Sequence, residues 1–72
     1  MKKETILLPN GNLARIDWIT RVRALEGFKG GEKNISDRVV IEFKQGVNEV
    51  INYDNFEDAE NDRDLIIEEI MN

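Results

Sequence analysis

The sequence predicts a small α+β domain: a four- to five-stranded antiparallel β-meander with one C-terminal amphipathic helix packed on one face. Three observations carry this. Short β-prone runs are separated by Asn-Gly, Gly-Gly and Gln-Gly punctuation. A single helical periodicity occupies only the last third of the 72 residues. Hydrophobic residues make up 40% of the chain and fall in clusters, which is enough for a core, although a chain this short buries only about 60% of its extended surface.

Thr5-Ile6-Leu7-Leu8 is the first run, and Pro9-Asn10-Gly11-Asn12 ends it as a hairpin tip. Leu13 to Ile19 follows, with a bend at Asp17-Trp18. Apolar and charged residues then alternate with period two from Ile19 to Leu25, the signature of a strand with one face in a core. Glu26 to Asp37, with Gly27, Gly30 and Gly31, offers little to bury and reads as a mobile loop. Arg38–Lys44 is β-branched and forms the clearest strand.

The next strand is Glu49–Tyr53. A four-residue loop, Gln45 to Asn48, sets Lys44 opposite Glu49 and is preferred, with a bulged three-residue loop as the variant. A two-residue loop would oppose Glu42 and Glu49. Asp54 and Asn55 are both N-cap residues, Asp54 with Glu57 in capping-box spacing, so the helix starts at about residue 55 or 56. Phe56, Ala59, Arg63, Ile66, Ile67 and Ile70 share its inward stripe. The chain reads as a single domain without repeats or linkers.

Charge is divided along the chain. Residues 1–53 hold nine basic and seven acidic groups, whereas residues 54–72 hold one and eight, giving −5 overall. Asp58/Asp62, Glu60/Asp64 and Asp64/Glu68 are like-charge i,i+4 pairs, which a face selected only for solubility would avoid. Glu57 and Asp58 suit the helix N-terminus, but Glu68 and Glu69 stand at the end where the macrodipole disfavours them. Leu65 lies opposite Ile67 on the wheel, ringed by Asp58, Asp62, Glu68 and Glu69. That is the pattern of an apolar anchor with a charged rim. Glu57, Asp58, Glu60, Asp64, Leu65 and Glu68 are therefore the candidate residues for binding a protein partner with a basic surface.

The chain has no cysteine and no histidine, which excludes disulfides, thiolate zinc sites, cysteine nucleophiles and the commonest general base. Tyr53, Asp54, Asp17 and Glu42 could supply acid–base groups, yet no nucleophile has a base beside it, so an enzyme is not expected. The glycines lack the Lys-Ser/Thr of a phosphate loop. Asp58, Glu60, Asp62, Asp64 and Glu69 occupy places 1, 3, 5, 7 and 12 of an EF-hand template, but Arg63 stands where that loop needs glycine, so neither metal nor cofactor is expected.

Arg15, Trp18, Arg21 and Arg23 form the minor alternative, a sheet that binds nucleic acid directly; Lys29, Lys33, Arg38, Lys44 and Phe28 extend the same basic–aromatic half. Overall negative charge argues against that alternative. The N-terminal apolar run ends at Pro9, too short for a signal peptide or a membrane span, so a cytoplasmic location is expected.

In "LPNGN", "RVVIEFKQG" and "VINYDNFEDAENDRDLI" the order of parts resembles small uncharacterised bacterial and bacteriophage proteins, a β-meander ending in one acidic helix. That resemblance implies an accessory protein that binds or inhibits a host or viral protein. Two other functions fit the charge pattern: an acidic nucleic-acid mimic, and a homo-oligomeric assembly protein in which sheet edges join or basic sheet meets acidic helix.

Overall fold

The computed structural model describes residues 4–28, 30–31 and 34–71. Five antiparallel strands form two sheets, followed by one helix. β1 (Thr5–Leu7) pairs with β2 (Leu13–Arg15), and a 3-10 turn at Ile16–Trp18 leads into β3 (Ile19–Leu25), β4 (Asp37–Phe43) and β5 (Asn48–Tyr53), in sheet order β3-β4-β5. Helix α1 spans Phe56–Met71. A single meander is therefore not what forms. The bend expected at Asp17-Trp18 is a full helical turn, which breaks pairing between β2 and β3 and sets the first hairpin apart as a separate two-stranded ribbon.

Both short hairpins turn by one device. Leu8 N–H donates to Asn12 O (2.8 Å) and Gly11 N–H to Leu8 O (2.9 Å). Phe43 N–H likewise donates to Val47 O (3.1 Å) and Gly46 N–H to Phe43 O (3.0 Å). Each is a three-residue loop ending in glycine at positive φ, +90° at Gly11 and +82° at Gly46, the G1-bulge turn. The preferred four-residue loop is thus replaced by the bulged variant. Glu49 lies opposite Ile41, and Lys44 is in the turn.

The segment read as a loop between β3 and β4 keeps the strand register. Leu25 faces Arg38, and Phe28 faces Ile35 in the same alignment, bonded through both N–H groups at 2.9 and 2.8 Å. Lys29, Glu32 and Lys33 lie outside the described residues.

Ile6, Leu8, Ala14, Val39, Ile41, Ala59 and Ile66 form the buried core. The strand period places Val22, Ala24, Val39, Ile41, Phe43 and Ile51 on the face that meets α1 and the hairpin. Arg21, Arg23, Leu25, Arg38, Val40, Val50 and Asn52 are turned to the other face, which no element covers among the described residues. There Arg23 stands opposite Val40 and reaches Glu42, with Nε 3.1 Å from Oε2, a distance of ion pairing at an angle that misses a hydrogen bond.

In α1, Asn55 is the N-cap: its Oδ1 accepts from Asp58 N–H at 2.9 Å. Ala59 and Ile66 are the buried residues of the helix. Ile67, expected in the core, is 36% exposed and stands outside the core cluster. The inward stripe is centred on Ala59 and Ile66 and draws in Asp62 on the flank away from Ile67.

Candidate interaction surface

At about 100° per residue, the acids of α1 separate into two sets. Glu57, Asp64 and Glu68 lie on the back of the helix, with Glu60 beside them. Asp58, Asp62, Leu65 and Glu69 lie on the flank that faces the hairpin. The six residues proposed from sequence are therefore not one patch: Asp58 and Leu65 are on one side, Glu57, Glu60, Asp64 and Glu68 on the other.

The back set is partly engaged. Arg63 lies 2.9 Å from Asp64 and 3.8 Å from Glu60, so the lone cation of the helix serves both. Glu57 and Glu68 make no ion pair among the described residues. Exposed pairs of this kind contribute about 0–1 kcal/mol each, so they tune surface charge more than stability.

The hairpin flank has shape as well as charge. Leu65, 58% exposed, forms with Leu7, Pro9, Asp62, Ile66 and Glu69 the walls of an open groove of about 380 Å³ between helix and hairpin. Ile6 and Ala14 point from the ribbon into the core, so their neighbours Leu7 and Leu13, directly paired across it, are turned outward at 68% and 72% exposure. Neither leucine is among the residues expected at a site from the sequence. The signal was present in "ILL", an apolar run without alternation, which gives a strand apolar on both faces when only one face meets a core.

Asp62 is fixed by a partner from the sheet. Tyr53 Oη donates to Asp62 Oδ2 at 2.6 Å, a short hydrogen bond from sheet to helix. Burial, then the bond to Asp62, then the charges of Asp62 and Asp58 hold the Tyr53 hydroxyl well above the ordinary phenol range. The folded chain thus keeps a proton that the unfolded chain releases at about pH 10, and stability falls as pH rises beyond that point. Tyr53 is the one tyrosine of the chain. We expect its tyrosinate absorbance to remain absent where a free phenol is already half-ionised, and Asp62→Asn to move the titration down. A native titration at the ordinary phenol pKa would contradict the bond.

Arg15, Trp18, Arg21 and Arg23 are divided between faces. The Arg15 guanidinium sits over the Trp18 ring at 5.1 Å and within 3.3 Å of Asp17, and Arg15 and Trp18 line a broad groove of about 680 Å³ together with Leu13, Phe43, Val47 and Glu49. Arg21 and Arg23 project from the opposite face of the sheet. Phe28 is ten residues from Trp18 along an extended strand, about 33 Å away. A stacking platform interleaved with arginines is not assembled.

The EF-hand template fails for a positive reason. Its carboxylates are spread around one continuous helix, Phe56–Met71, with Asp62 turned to Tyr53, so they do not converge as a calcium loop requires, and no group of three or more acids is placed to hold a metal among the described residues. No described helix is long and apolar enough to cross a membrane.

No protein-family model matches the chain, and no curated protein and no solved structure matches it.

Proposed function

We propose that this chain is a non-enzymatic protein-interaction module. It takes a basic, amphipathic partner segment in the groove between α1 and the β1–β2 hairpin. The observation that carries this is the pairing of Leu65 and Leu7, two exposed leucines on the walls of one groove, with the Asp62 and Glu69 carboxylates at its rim. Apolar anchors inside a charged rim give a partner both affinity and orientation. Glu57 and Glu68 add a long-range negative field that steers a basic partner without touching it. A helix laying leucine or methionine against Leu65 and Leu7, with lysines or arginines on either side, is the complementary shape.

The test is affinity capture from host extract by the wild-type chain, repeated with Leu65→Glu and with Leu7→Glu. Both sites are exposed, so the fold is kept. We expect the captured protein to be basic and its affinity to drop at least tenfold with either variant and to weaken steadily with salt. Capture that is indifferent to both substitutions would overturn the groove. Displacement of the partner by duplex or single-stranded nucleic acid would convert the reading to that of a nucleic-acid mimic.

A further inference from the structure

The two edges of the three-stranded sheet are unlike. β3 is interrupted by a bulge between Ile19 and Arg21 and carries two arginines, both devices that discourage pairing with another strand. β5 has neither. Asn48-Glu49-Val50-Ile51-Asn52-Tyr53 runs in unbroken register with β4 and contains no proline, lysine or arginine.

The backbone of β5 also shows where its free groups point. Phe43 and Val47 form the bonded pair that closes the turn. Bonded and non-bonded pairs alternate along an antiparallel ladder, so Glu49, Ile51 and Tyr53 spend their N–H and C=O groups on β4. Asn48, Val50 and Asn52 direct theirs away from the sheet. No described residue bonds to these groups across that edge. The helix packs mainly on β3 and β4 and leaves the β5 side least covered.

We propose that β5 pairs antiparallel with β5 of a second copy of this chain, with Val50 on the twofold axis. In that register Val50 faces Val50 and Asn48 faces Asn52, so the three outward residues of each copy become bonded pairs along the whole strand. Val50, 51% exposed in the single chain, is then covered by its twin. It continues on the uncovered face the row that already runs from Arg23 through Val40 to Val50. Asn48 and Asn52 pair as amides, which satisfy each other as donor and acceptor. Glu49 is the sole charge of the strand and faces Ile51 of the other copy. Its carboxylate is held by Asn12 Nδ2 at 2.8 Å, away from its counterpart. The product is a six-stranded sheet with both helices on one face, and the hairpin–helix groove stays open in each copy.

One strand pair is a small interface beside the roughly 1,600 Å² of a standard one, so the dimer dissociates on dilution. Each copy carries −5, so salt strengthens self-association, the reverse of its effect on a basic partner.

Sedimentation equilibrium over a wide concentration range tests the proposal. The wild-type mass should rise from 8.4 kDa towards twice that value. Val50→Pro should hold it at the monomer, because the Val50 N–H serves no bond within the chain and proline is tolerated there. The chain has no cysteine, so single thiols report register. Under mild oxidation Val50→Cys should cross-link to itself. Asn48→Cys should not, since the two copies of residue 48 lie about 13 Å apart in this register. A wild type that is monomeric throughout overturns the proposal. So does a dimer that survives Val50→Pro, or equal cross-linking by both thiols.

Discussion

Ile41→Ala should lower the unfolding free energy by about 2–5 kcal/mol, a large part of the stability of a domain this small. Ile41 is fully buried on the central strand, between Val22 on β3 and Glu49 on β5, and under α1. Three neighbouring elements are fixed around it, so they cannot collapse into the space that four carbons shrinking to one would leave. The control is Ile67→Ala, the same chemical change on a helix side chain 36% exposed. It should cost about 1 kcal/mol or less, because little packing is lost and alanine is the better helix former. Urea unfolding followed by circular dichroism and by the fluorescence of Trp18, the one tryptophan, measures both. Equal effects of the two substitutions would place the core elsewhere on the helix.

That contrast also shows what the sequence discloses. The wheel put Ile66 and Ile67 together, since both belong to a broad apolar stripe. The centre of a stripe is set by what meets it. Here Tyr53 gives Asp62 a hydrogen bond, so a carboxylate can turn towards the sheet and Ile67 rotates outward. No local pattern encodes that bond. Features governed by neighbours in the chain were legible: the β-branched strand β4, a helix cap at Asp54 or Asn55, the span of β3, and the outward position of Leu65. The division into two sheets was not, because a bend and a full helical turn share the composition "IDW", and only the second interrupts a ladder. Half of the candidate groove was likewise legible. Leu65 could be found on α1 alone, but its partner Leu7 lies 58 positions away and is placed there by the hairpin's docking, which is a property of the assembled core.

Gly27→Ala should destabilise the chain by about 1–3 kcal/mol and open the β3–β4 arm, although replacing a loop glycine by alanine ordinarily stabilises by restricting the unfolded chain. A Cβ at Gly27 would collide with the backbone of the opposite strand, at the Ile35 carbonyl oxygen and the Ser36 carbonyl carbon. Those are not flexible side-chain ends that can swing aside. The Gly27 N–H is also committed to Asp37 Oδ1 at 2.7 Å, which ties the two strands where regular pairing ends. The added methyl must therefore push Ile35 and Ser36 outward, and the reciprocal Phe28–Ile35 bonds are the first to break. Beyond Leu25 and Arg38 the ladder is independent of that contact, so the core keeps its protection. Amide hydrogen exchange distinguishes the two regions: Phe28 and Ile35 should exchange far faster in the variant, while Val39 and Ile41 follow only the global loss of stability. Unchanged exchange at Phe28 would mean that the arm is held by its exposed apolar pair, Phe28 at 60% and Ile35 at 48%, and not by the close approach of backbone that only glycine permits.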